Sequence, residues 1–216
     1  MTRRLLLLLP LLLLAPARAQ QLEPAKTAEL RAQFLKKQQQ TRSWSATFTQ
    51  TVSMPGMKQP VVSTGSVAYG APGQIRFDFT QPAGEYVLAV GDRLFLQKAG
   101  KRLSEKSLSK DNSAKPFRSL LNLLQGQLTE EEAIYNAAVS RQNTGYAVVL
   151  TRKPGARGRG PAKITNTIAA GTLEVTEILI ELPNGGTIRF AFEQPKRNHS
   201  LPDTLFTTPP AAKSPQ

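Results

Sequence analysis

The sequence predicts a mainly β protein in which a curved antiparallel sheet carries a short helical cover. Three observations lead there. From Phe48 to Leu96, short alternating segments are separated by Pro and Gly at nearly regular spacing, the pattern of consecutive strands with one apolar and one wetted face. From Phe117, apolar residues recur instead at intervals of three and four, which is a helical stripe. From Gly145 the strand pattern returns.

The elements follow in chain order. Met1 to Ala19 reads as a secretory signal peptide: Arg3 and Arg4 form a basic start, Leu5 to Leu14 an apolar core, and Ala17-Arg18-Ala19 an A-x-A cleavage site. The remainder, 20–216, is expected to be one domain with a frayed Pro-rich tail from about 209. Thr27 to Gln40 is rich in Ala, Leu, Lys and Gln, with Leu30 and Phe34 on one stripe; it predicts a helix with Thr27 as its N-cap. Strands are expected from about Ser43 (Trp44, Ala46 and Phe48 on one face), over Val61 to Tyr69, Ile75 to Thr80, Tyr86 to Val90 and Leu94 to Lys98. Gly91-Asp92 supplies a tight turn between the last two.

The helical stripe of Phe117, Leu120, Leu121, Leu124 and Leu128 follows Pro116. Thr129-Glu130-Glu131-Glu132 resembles a capping box, which predicts a second short helix to about Ala138. These two pieces interrupt an otherwise all-β pattern, so they are the expected cover for the apolar sheet face. Strands then resume over Gly145 to Arg152, Ile164 to Ala169, and a hairpin of Leu173 to Leu182 and Thr187 to Glu193 around Asn184-Gly185-Gly186. Its second strand alternates Ile188, Phe190 and Phe192 against Arg189 and Ala191. Lys153 to Lys163 reads as a basic, solvated loop.

Composition narrows the function classes. The chain carries a net charge of +13; removal of Arg3, Arg4 and Arg18 with the signal peptide leaves 25 basic against 15 acidic residues, or +10. Such a charge favours anionic surfaces, but export separates the chain from nucleic acid, and no aromatic-basic motif of the usual modules is present. No Cys exists. Disulfides and an N-terminal lipid anchor on Cys are therefore excluded, and so is a His/Cys zinc site, because His199 is the single His. No G-x-S-x-G nucleophile context occurs. Glu130, Glu131 and Glu132 are consecutive, so they fan around a helix rather than converge as an acid–base pair. The reading is a non-enzyme with no cofactor, no metal and no catalytic residue. Its apolar face closes either an ordinary core or a ligand cavity, and composition does not choose between them.

At this point the chain resembles the LolA family, the periplasmic carriers of outer-membrane lipoproteins. The resemblance is carried, in order, by Leu30, Trp44 and Phe48-Thr49-Gln50; by Gly65-Ser66-Val67, Pro72-Gly73, Ile75-Arg76-Phe77-Asp78-Phe79 and Pro82; by Val90-Gly91-Asp92-Arg93-Leu94; and by Phe206-Thr207-Thr208-Pro209-Pro210. It implies an unclosed β-barrel of about eleven antiparallel strands covered by short helices, with a hydrophobic cavity between barrel and lid. The implied cavity lining is Trp44, Phe48, Ile75, Phe77, Phe79, Leu88, Ile188 and Phe190 from the barrel, with Phe117, Leu120, Leu121 and Leu124 from a lid helix over Pro116 to Leu124. The implied partners are lipoprotein acyl chains or another lipid, an inner-membrane ABC-type release complex and an outer-membrane acceptor. The resemblance further implies a periplasmic location and a monomeric state. One position departs from the family pattern: members carry an Arg, tying barrel to lid, where this chain has Ala71 before Pro72.

Overall fold

The structure is a computed structural model, which describes residues 20–111, 114, 117–118, 121–122, 125, 133–156 and 160–207. The signal sequence, the tail from Thr208, and the lid positions Leu120 and Leu124 lie outside the described residues.

The strands are β1 (Gln20–Gln21), β2 (Ser43–Ser53), β3 (Val61–Gly70), β4 (Gln74–Gln81), β5 (Tyr86–Val90), β6 (Arg93–Gln97), β7 (Ser104–Ser107), β8 (Tyr135–Arg141), β9 (Gly145–Arg152), β10 (Lys163–Ala169), β11 (Val175–Glu181) and β12 (Thr187–Arg197). They form one sheet in the order β1-β8-β9-β10-β11-β12-β2-β3-β4-β5-β6-β7. Every pairing is antiparallel. The outermost strands β1 and β7 are not bonded to each other, so the barrel is unclosed. Eleven of its strands have four residues or more and β1 has two, which is the expected architecture.

Register aligns the apolar stripes across strands. Trp44, Ala46 and Phe48 of β2 lie opposite Tyr69, Val67 and Gly65 of β3. Those in turn lie opposite Ile75, Phe77 and Phe79 of β4. Side chains alternate along each strand, so one inward face runs continuously from β12 to β6. Gly91, at φ 57, occupies the left-handed conformation that the β5–β6 turn requires.

Three expectations are corrected and one strand is added. Helix α1 spans Pro24–Gln39, with Glu23 at the N-cap position and Pro24 entering the first turn. Thr27 already lies inside the helix, its amide bonded to the Glu23 carbonyl; the fixed φ of Pro suits the first helical position better. The second short helix does not reach Ala138: Ala133 and Ile134 are helical, but Tyr135–Arg141 is strand β8. Seven residues of β8 pair with β9, and β1 closes its other edge, so ladder bonds override an acidic, Ala-containing local pattern. β7, a polar SEKS segment, carries no alternation and was not expected. β12 continues past Glu193 to Arg197 through an irregularity in its pairing with β2.

Candidate functional site

The inward face is an aromatic wall. Phe48 sits at its centre, edge-on to Phe77 at 5.4 Å and to Phe79 at 5.2 Å, with Phe190 at 6.1 Å. Phe190 stacks on Phe192 at 6.2 Å, and Phe192 meets Trp44 edge-on at 5.6 Å. Such edge-to-face and stacked pairs add to simple burial. Phe117 and Leu121, both helical, pack into the same cluster, Leu121 nearly fully buried. Trp44, Phe48, Ile75, Phe77, Phe79, Phe117, Leu121, Ile188 and Phe190 therefore belong to one hydrophobic cluster.

Leu88 is not among them. Ile75 pairs with Ala89 and Phe77 with Val87, which puts Val87 and Ala89 on the inward face and Leu88 on the outer one, opposite Phe95. The implied lining also left out Val67, Tyr69, Leu94, Ile178, Ile180 and Phe192, although each lies two residues from an inward neighbour or in an apolar run, and alternation already sets Phe192 on one face with Ile188 and Phe190. Phe34 of α1 joins the cluster from the helix.

The wall has two unlike ends. At the end holding the β2 start and the β12 finish, a polar knot fixes α1 to the sheet. Glu174 bonds Arg197 through both its oxygens, at 3.0 and 2.8 Å, accepts from Lys37 Nζ at 2.8 Å, and accepts from Trp44 Nε1 at 3.2 Å. Arg197 also donates to Gln38 at 3.2 Å and to Thr41. Burial alone would raise the Glu174 carboxyl, but its bonds to Arg197 and Lys37 outweigh that, and it lies below the ordinary carboxylate value. Inside this end, a cavity of about 10 Å³ ringed by Gln38, Trp44, Ile75, Phe77, Glu174 and Phe192 leaves room for about one water.

Towards the other end, exposure of the wall rises along β4, β6 and β12. Ile75 and Phe77 are buried and Phe79 is half-buried; Leu94 is buried and Leu96 half-buried; Phe192 is buried, while Phe190 and Ile188 are half-buried. The wall is therefore more exposed on β4, β6 and β12 towards the end carrying the β2–β3, β4–β5, β6–β7 and β11–β12 hairpins, while Tyr135, Ile164 and Ile180 at that end stay buried. The segment holding Phe117 and Leu121 meets the end with the β3–β4 and β5–β6 turns, where Arg118 bonds Leu108 and Ser109 and Gln125 approaches Gly73.

At the β3–β4 turn, Ala71 is exposed and its amide donates to the Arg42 carbonyl at 2.9 Å. The lid is tied elsewhere: Arg118 donates to the carbonyls of Leu108 at 2.8 Å and Ser109 at 3.2 Å, just after β7. His199 is half-buried, with Nε2 at 3.1 Å from Ser45 Oγ.

Comparison with known proteins places this arrangement. The family model "Outer membrane lipoprotein carrier protein LolA" matches residues 39–209. An outer-membrane lipoprotein carrier protein of Dechloromonas aromatica is 28% identical over 177 residues, covering 79% of each chain. One from Leptothrix cholodnii is 38% identical over 58 residues, 27% of each chain. Among solved structures, a DUF1329 family protein from Desulfovibrio piger covers 86% of this chain and 98% of its own, at 11% identity and TM-score 0.50. A chain of the Pseudomonas aeruginosa MucA/MucB complex covers 85% and 61%, at 12% identity and TM-score 0.51. At such identities these two structures show likeness of fold alone.

Proposed function

The chain belongs to the LolA family of outer membrane lipoprotein carrier proteins, and we propose that it shields the acyl chains of lipoproteins against the inward aromatic wall while carrying them across the periplasm. One observation carries this reading: helical Phe117 and Leu121 pack on the same wall that an acyl chain would occupy. A buried methylene is worth about 0.8 kcal/mol, so one ordinary acyl chain gains on the order of 10 kcal/mol. Several chains held that firmly would not be released. Lid side chains that already fill the wall offset part of the gain, because the ligand must displace apolar contacts before making its own.

In this reading the protein is a carrier rather than an enzyme, exported by its signal sequence, and it receives cargo from an inner-membrane ABC-type complex and yields it to an outer-membrane acceptor. Ala71 in place of the family Arg moves the lid tie to Arg118 and leaves the aromatic wall intact, which favours acyl shielding over any particular cargo. Native mass spectrometry of the protein recovered from the periplasm is the test. Co-purified lipoprotein or lipid is expected; recovery always free of acylated species, with a bound protein partner instead, would replace the carrier by a protein-binding module on the same fold.

A further inference from the structure

Among the described residues, the large exposed apolar side chains are Met57 (44% exposed), Val61 (50%) and Val62 (57%). All three lie within one six-residue stretch, at the tip of the β2–β3 hairpin and the start of β3. Scattered exposed apolar residues need no explanation, but a cluster at one tip does. Val61 pairs with Val52 and so continues the inward wall out to the rim, while Val62 turns to the outer face. The tip is not packed away: Gly56, at φ 85, has open space around it.

The charge around that rim is one-sided. The neighbouring hairpins at this end, 54–60, 82–85, 98–103 and 182–186, carry Lys58, Lys98, Lys101 and Arg102, all exposed, against Glu85. Glu85 is half-buried, and its carboxylate accepts from the Ala99 amide at 3.2 Å. The strands from β3 to β6 are three steps apart and register sets Gln97 level with Ser66, five residues back from Val61, so the β6–β7 cations lie roughly 20 Å from Val61. The opposite end shows no such bias: its turns carry Arg42, Lys110 and Arg141 against Asp92, Asp111 and Asp203.

An apolar tip beside a cluster of cations, at the end where the wall is more exposed on β4, β6 and β12, matches the chemistry of an anionic bilayer surface. Apolar side chains enter the interface, and Lys and Arg meet the phosphates. We propose that the hairpin end docks reversibly on anionic phospholipid, with Met57, Val61 and Val62 seated at the interface and Lys58, Lys98, Lys101 and Arg102 against the headgroups. Neither signal is strong alone, and a carrier that must leave the membrane needs the sum to be modest. The docking does not depend on which acylated cargo the interior holds.

The test is co-sedimentation of the protein with vesicles of phosphatidylcholine, with and without phosphatidylglycerol. Binding is expected with phosphatidylglycerol and lost without it. Each basic residue near the surface contributes roughly a fivefold change in partitioning. The double variant Lys58→Glu, Lys101→Glu should therefore weaken binding by more than about twentyfold, and added salt should do the same to the unmodified protein. Met57→Asp should weaken it about tenfold or more. All variants are on exposed turns and should bind an apolar fluorescent probe in the interior as the parent does, so failure of docking and failure of the carrier reading are told apart. Met57→Trp should be quenched by vesicles with brominated acyl chains, whereas buried Trp44 should not. Equal binding to neutral and anionic vesicles, no binding to either, or binding untouched by the Met57 and Lys substitutions would overturn the proposal, and the apolar tip would then belong to a protein contact.

Discussion

If Leu121 competes with the ligand for the barrel wall, Leu121→Ala should change stability and affinity in opposite directions. Leu121 is 5% exposed and packed into the aromatic cluster. Truncation to Ala removes about three methylenes, or roughly 2.4 kcal/mol of transfer free energy, and the vacated space adds a cavity contribution; a loss of about 2–4 kcal/mol in stability is expected. In the liganded state the same side chain has already left the wall. The ligand-free state alone then loses its contact, and ligand affinity should rise by up to roughly fiftyfold, 1.4 kcal/mol being tenfold. Urea unfolding gives the first quantity, and titration with an apolar fluorescent probe or a free fatty acid gives the second. A variant that is less stable and also binds more weakly would refute displacement, because Leu121 would then be a wall of the site rather than a competitor for it.

Two further expectations concern the frame of the site. Gly65 lies where an added Cβ would stand 2.1 Å from the Asp78 carbonyl oxygen and 2.9 Å from the Phe48 ring. Gly65→Ala should force β3 from β4 and displace Phe48, costing about 2 kcal/mol or more, with the urea midpoint as the check; a midpoint near the parent's would show that the close approach relaxes freely. Glu174 is held below the ordinary carboxylate value, so it contributes stability above about pH 4.3 that is lost as pH falls through its depressed folded value. Glu174→Gln should destabilise by about 3 kcal/mol at neutral pH by leaving Arg197 and Lys37 without their counter-charge, and it should flatten the acid limb of a stability–pH curve; an unchanged acid limb would mean that other carboxylates set it.

What could be read from the sequence was set by burial on one face only. In β4, Ile75, Phe77 and Phe79 alternate cleanly with Gln74, Arg76 and Asp78, so the strand and its inward face were both legible. In β5 the run Tyr86-Val87-Leu88-Ala89-Val90 is apolar on both faces, and Val87, Leu88 and Ala89 are all buried. Alternation then carries no direction, and the register against Ile75 and Phe77 settles that Leu88 points outward. β7 is a polar edge strand with Arg93 paired to Glu105 across it at 2.7 Å, a contact invisible in a linear reading. The Glu174 knot was invisible for the same reason: its partners Lys37 and Arg197 lie 137 and 23 residues away. Of the helical stripe, Phe117 and Leu121 were legible because three- and four-residue spacing is local; Leu120, Leu124 and Leu128 lie outside the described residues.

The two helical contributions to the wall are held by different kinds of force, and this difference assigns them different roles. Helix α1 is attached through directional bonds: Lys37 to Glu174 and to the Thr172 carbonyl, and Gln38 and Thr41 to Arg197. An acyl chain offers nothing to replace those bonds, and separating the buried charges would leave them without partners. Phe117 and Leu121 meet the wall through apolar contact, which an acyl chain replaces in kind. Arg118 keeps that segment close through bonds to the backbone carbonyls of Leu108 and Ser109, beyond the end of β7, so the apolar contact can be exchanged without breaking the tie. A ligand entering from the hairpin end, where Phe79, Leu96 and Phe190 are already half-exposed, would therefore advance by displacing Phe117 and Leu121 and stop at the Glu174 knot. In the carrier reading, the depth of the wall from Phe190 to Trp44, rather than the breadth of the opening, would then limit how much acyl chain is held.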